Sequence, residues 1–347
     1  MHTLHDCLVN SLARQFVEKN ITLEKKDLEE IFHSVSEAVC PLLEKELMNG
    51  ARKTFRHNEK ELKGFLKRNN LRWKNGFSLL GIFIEICLET GSEYNTLYRP
   101  DAAETQDYVF EAIIMNHAKS CLIAREVYCL LTNGFSDGAN ARWRSLHELA
   151  VISNFISEHG QECAKKYLEH QYVELYYEMK TARKYESKNN RQGPSDKLYK
   201  KCEDIYNDLV SKYGKGFKKK GYGWAANYLA GQDANFANIE SSVKLDHWRP
   251  YYGDASQYLH GGAAGTPKLA LEECSTNILL VGQSNSGMVE PGHSTALSLA
   301  LATIPILLRK PISFDSILLG KIILNISSKV GELFFKDYQA AMKEDLS

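Results

Sequence analysis

A chain of 347 residues with 44% hydrophobic and 25% charged residues can bury one large core or two moderate ones, which excludes a disordered or fibrous protein. Lysine plus arginine equals aspartate plus glutamate at 43 each, so an anionic partner has to be met by a local patch rather than by a global field. Eight cysteines are scattered without a Cys-x-x-Cys pair, residues 1–6 lack a secretory signal, and Pro305 interrupts the longest apolar run; together these predict a cytoplasmic protein without a membrane segment.

Residues 1–95 read as an N-terminal helical region. Leu28, Ile31, Phe32, Val35 and Val39 recur three and four apart, with stops expected at Pro41 and Gly50. Between Arg52 and Lys74, nine basic residues stand against two acidic ones, with Phe55, Phe65 and Trp73 interleaved. Arg52, Lys53, Arg56, Lys67 and Arg68 are therefore candidate RNA contacts, a solvated helix face being the alternative. The turn-like residues 91–95 and Pro100 predict a domain boundary near residue 95.

The core domain expected over 96–310 opens with a helix from about Glu104 to Thr132, stopped by Asn133-Gly134 with the glycine as a left-handed cap. After the loop Phe135-Ser136-Asp137-Gly138 a second helix, from about Asn140 to Ser157, returns, making a central antiparallel hairpin. A tyrosine-rich helix over 161–186 and a charged helix from Asp196 to Tyr213 follow. The glycine-rich basic loop 214–224 comes next; its glycines have neither Walker nor dinucleotide spacing, and Lys218, Lys219 and Lys220 are candidate RNA or phosphate contacts. A short helix from Asp254 to His260, apolar helices over 268–281 and 294–309, and a C-terminal helix within 311–347 complete the chain. Strand-like alternation is nearly absent, so the fold class is all-α, a multi-helix bundle.

The densest chemistry lies in Arg142-Trp143-Arg144-Ser145-Leu146-His147-Glu148. At about 100° per residue, Ala139, Trp143, Leu146, Leu149 and Ala150 form the buried stripe. Arg142 and His147 fall on its shoulders, and Arg144 and Glu148 on the far face, four apart and able to pair. An arginine beside a helix N-terminus can clamp phosphate, and a histidine can exchange protons near neutrality, the parts that metal-independent RNA cleavage requires. The plain alternative is a satisfied structural histidine. Tyr252, Ser256 and His260 recur every four residues on one helix face, and His170 lies off its apolar stripe, exposed or pointing into a cleft. No metal-binding motif accompanies these histidines, and neither metal nor cofactor is expected.

Arg-x4-His in an all-α hairpin resembles the HEPN superfamily of helical ribonucleases and toxins, in which two such motifs usually meet across a dimer. Asn133 to Ala139, Ala141 to Glu148, Tyr167 to His170, Tyr222 to Ala225, Tyr252 to His260 and Gly282 to Pro291 together resemble a bacterial family catalogued as domain of unknown function 5677, over roughly residues 70–310. The resemblance to the ribonucleases implies a metal-independent endoribonuclease, a toxin or defence effector, with RNA as substrate, a homodimer and a regulatory protein partner. Arg142 and His147 would be catalytic, Arg144 and Glu148 supporting, and His170, Tyr252, Ser256 and His260 cleft-lining. The alternative is a catalytically inert helical module that binds a protein partner or a nucleotide. Burial discriminates: a sealed His147 favours the module, and an open cleft lined by His147 and Arg142 favours the enzyme.

Overall fold

The computed structural model describes residues 25–189, 192–257, 281–309 and 312–345. Among them are ten α-helices and no strand, as an all-α bundle requires. The chain divides into two compact units, residues 1–65 and 66–347.

The first helix, α1 (Lys25–Arg72), continues through Pro41 and Gly50, where stops were expected. Glu37, whose carbonyl loses its donor at Pro41, is exposed, as is Pro41, so water can satisfy that carbonyl. Arg52, Lys53 and Arg56 are exposed in the first unit, and Lys67 and Arg68 in the second. Trp73, expected to interleave with these charges, is a core residue whose indole N–H donates to the Asn285 carbonyl at 2.8 Å.

Trp73 alone separates α1 from α2 (Lys74–Thr105), which runs through residues 91–95 and Pro100 without a break. Gly91 is there for close packing rather than for a turn, since a Cβ on it would lie 2.3 Å from the His117 ring. Asp107 caps α3 (Tyr108–Thr132) by accepting from the Phe110 N–H at 2.9 Å. At its other end Gly134 takes φ 85°, and Phe135 N–H reaches back to the Leu130 carbonyl, the expected glycine cap.

The partner of α3 in the hairpin, α4 (Ser136–Glu169), begins at Ser136 and consists of two helical segments joined at Gly160, whose φ 76° and ψ −160° are not helical, so its first segment ends close to the expected end at Ser157. Arg142 therefore stands beyond the first turn, away from the free N–H groups that were to assist it. The hairpin α5 (Gln171–Asn189) and α6 (Asp196–Tyr213) follows, then short 3₁₀ turns at Lys215–Lys218 and Gly223–Tyr228. After them come α7 (Phe236–Ser242), a 3₁₀ turn at Asp246–Trp248, α8 (Arg249–Gln257), α9 (Val289–Leu307) and α10 (Phe314–Asp345). The helix expected over 268–281 lies, but for its last residue, outside the described residues.

Two apolar clusters fill the second unit. One joins α2, the first half of α4, α9 and α10; Phe334 sits against Gly76 and Gly292, where a Cβ would come within 2.7 and 2.5 Å of its ring. The other gathers the start of α3, the second half of α4, α6, α7 and the 3₁₀ turns around Phe155, Phe217 and Trp224. The Trp143 indole bridges α4 to α9, donating to the Ser294 carbonyl at 3.0 Å and to Ser298 Oγ at 2.8 Å.

Candidate functional site

α4 carries the site, and α7 and α8 close over it. One turn beyond Trp143 on the same stripe, His147 is 0% exposed, and its Nε2–H donates to Glu240 Oε1 at 2.8 Å. Glu240, on α7, is also 0% exposed, and its second oxygen pairs with the Arg249 guanidinium at the start of α8. Trp143, Phe236, Trp248 and Tyr252 surround the imidazole with ring centroids 5.4 to 6.1 Å away. Arg249 lies over the Phe236 and Tyr252 rings at 5.2 and 5.3 Å. A buried chain His147–Glu240–Arg249 thus crosses an aromatic box. His147 Nδ1 is buried without a hydrogen-bond partner.

The structure does not bring Arg142 and His147 together. The Arg142 guanidinium pairs with Glu126 of α3 on a half-exposed face, while His147 faces α7. The expected Arg144–Glu148 pair does not form among the described ion pairs. Arg144 instead lies 4.2 Å over the Tyr252 ring, and Glu148 accepts from the Tyr222 hydroxyl. Both outer residues are drawn off their own helix because aromatic partners on neighbouring segments offer tighter, drier contacts than an i,i+4 pair in water. Burial first, and then the Glu148 carboxylate, push the Tyr222 and Tyr252 hydroxyls above the usual phenol range.

Ser256 Oγ donates to the Tyr252 carbonyl within α8 at 2.7 Å, so its hydroxyl is engaged with its own helix. His260 lies outside the described residues. His170, expected exposed or facing a cleft, is 3% exposed. Its Nε2–H reaches the Phe217 and Lys219 carbonyls at 3.1 and 3.0 Å, and its Nδ1 lies 3.6 Å from Glu174. Burial lowers its pKa, the Glu174 charge opposing. Among the described residues no group of three His, Cys, Asp or Glu side chains could hold a metal ion.

Sequence reasoning missed Glu240 and Arg249. The only signal for Glu240 is one carboxylate beside apolar Phe236 and Ile239 in a stretch too short for a period to be measured. A separate cleft of about 810 Å³ is lined by Lys215, Lys218, Lys219, Lys220, Tyr177 and the segment 231–234.

Residues 110–273 match a family of unknown function, DUF5677. That stretch contains the hairpin, the buried chain and the lysine cleft. No curated protein and no solved structure matches the chain. Among the described residues, no helix is long and apolar enough to cross a membrane.

Proposed function

We propose that the chain is a helical binding module in which the Arg-x4-His helix is a packing element rather than a nuclease centre. One observation carries this: His147 has no exposed surface and spends Nε2 on Glu240, with Arg142 tied to Glu126 elsewhere. A base for an RNA 2′-hydroxyl has to come within hydrogen-bond reach of it, and the remaining nitrogen, Nδ1, is enclosed by protein. The chain His147–Glu240–Arg249 instead fixes α7 and α8 against α4. Separating a buried ion pair leaves an uncompensated charge, so the pair penalises arrangements that pull these elements apart.

The test is purified protein incubated with total RNA in EDTA, followed by end-group analysis for 2′,3′-cyclic phosphate. RNA is expected to stay intact. Cleavage that disappears in His147→Ala and Arg142→Ala proteins of unchanged melting temperature would overturn the proposal.

A further inference from the structure

The lysine cleft has features that packing does not require. Four lysines, at 215, 218, 219 and 220, line one concavity, and all are exposed. Lys219 is neutralised by Asp233. Among the described residues Lys215, Lys218 and Lys220 have no carboxylate within ion-pair distance, and Lys220 stands 5.5 Å over the Tyr177 ring. Three like charges within six residues, none with a carboxylate partner among the described ion pairs, repel one another. They are an arrangement that an anion would stabilise.

The loop that presents them is held from below. Buried His170 binds the Phe217 and Lys219 carbonyls, and Glu174 accepts from the Gly221 N–H at 2.6 Å. Gly223 fits beneath only because it lacks a Cβ, which would lie 2.5 Å from the Phe217 carbonyl and 2.9 Å from His170 Nε2. The lysine stems therefore rise from a fixed backbone. Across the cleft, Ala230 and Gly231 take φ 48° and 82°, and Gln232 N–H closes the turn on the Leu229 carbonyl at 2.9 Å. A left-handed alanine costs about 1 kcal/mol, so the surrounding structure holds this rim in a form alanine does not prefer.

The type of cation narrows the ligand. No arginine lines the cleft. The cleft therefore offers no planar fork for one bidentate group; its lysines are mobile point charges that bind phosphate by charge, and three of them together favour a ligand carrying several negative charges. The volume, about 810 Å³, far exceeds one phosphate.

We infer that the cleft between the 215–220 loop and the 229–234 turn binds an oligophosphate group, with Lys215, Lys218 and Lys220 as its cationic contacts. This deepens the binding-module proposal and rests on it. The phosphates belong either to a small molecule such as a nucleoside triphosphate or to an RNA strand, and the two are separable by experiment.

Full-length protein is titrated calorimetrically with inorganic tripolyphosphate, ATP, adenosine and a single-stranded RNA oligomer. Tripolyphosphate and ATP are expected to bind and adenosine to fail. Lys218→Glu/Lys220→Glu should weaken binding by about tenfold or more, with the ligand-free melting temperature unchanged because both side chains are exposed. Arg52→Glu/Arg56→Glu, in the first unit, should leave binding as it was. RNA binding without tripolyphosphate or ATP binding, lost in the same lysine variant, would support the site and assign its phosphates to a nucleic acid chain. Binding of none of these probes, or binding indifferent to Lys218 and Lys220, would overturn the inference. Neither result bears on RNA cleavage, which alone decides the fate of His147 as a packing residue.

Discussion

Two residues five positions apart on one helix, Arg142 and His147, meet opposite fates. Arg142 is half-exposed against Glu126, and an ion pair in that setting contributes about 0.5 kcal/mol. Arg142→Ala should therefore leave the melting temperature within about 2 °C of the parent. His147 and Glu240 are both sealed, and removing one partner of a buried pair costs about 3–5 kcal/mol because the other is left without its contact. His147→Ala and Glu240→Ala should each lower the melting temperature by roughly 5–10 °C. The double variant should lose less than the sum, as expected of two residues in one network. Scanning calorimetry of the four proteins measures all three quantities, and additive losses would refute the pairing.

At the scale of the element, close packing explains most of what chain order alone did not reveal. The α3–α4 hairpin was legible because its signal is local: Gly134 supplies the cap. Gly91 was misread because a glycine at a turn and a glycine under a neighbouring side chain look alike until the neighbour is known. Gly91→Ala should destabilise the protein by about 1–3 kcal/mol through the His117 ring, measurable by urea unfolding, whereas an alanine-tolerant position would mark a true turn. The candidate site was legible only in part for a related reason. His147 stands out by its motif, but Glu240 lies 93 residues away and Arg249 farther still, and no spacing rule joins them. The lysines of residues 218–220 were visible as charge; that they line one cleft with Lys215 and Tyr177 depends on His170, whose two carbonyl partners lie in a loop without periodicity.

Over the whole molecule, buried histidines set the response to acid. His117, between Gly91 and Thr303 with Cys121 beside it, is held down to about 4 by burial, and burial also lowers the pKa of His170 and His293. An unfolded histidine takes up its proton near 6.5, so between about pH 6.5 and 4 the unfolded chain binds more protons than the folded one. Stability is thus fully present above that window and falls as the pH drops through it, by about 3 kcal/mol for His117. Urea unfolding at pH 7 and pH 4.5 should show the loss, and His117→Gln should reduce it. An equal loss in that variant would assign the effect to other groups. The thiols of Cys87, Cys121 and Cys163, which burial pushes up to about 12, stay protonated throughout.

The contacts that close the first core span long stretches of chain. Trp73 reaches Asn285, Trp143 reaches α9, and Phe334 seats itself between Gly76 and Gly292. A ribosome releases α2, α3 and α4 long before it releases α9 and α10, so the nascent hairpin waits with one apolar flank uncovered. Its final collapse comes only after translation is nearly finished. A chain truncated ahead of α9 therefore exposes the apolar face that α9 and α10 cover rather than forming a smaller complete core.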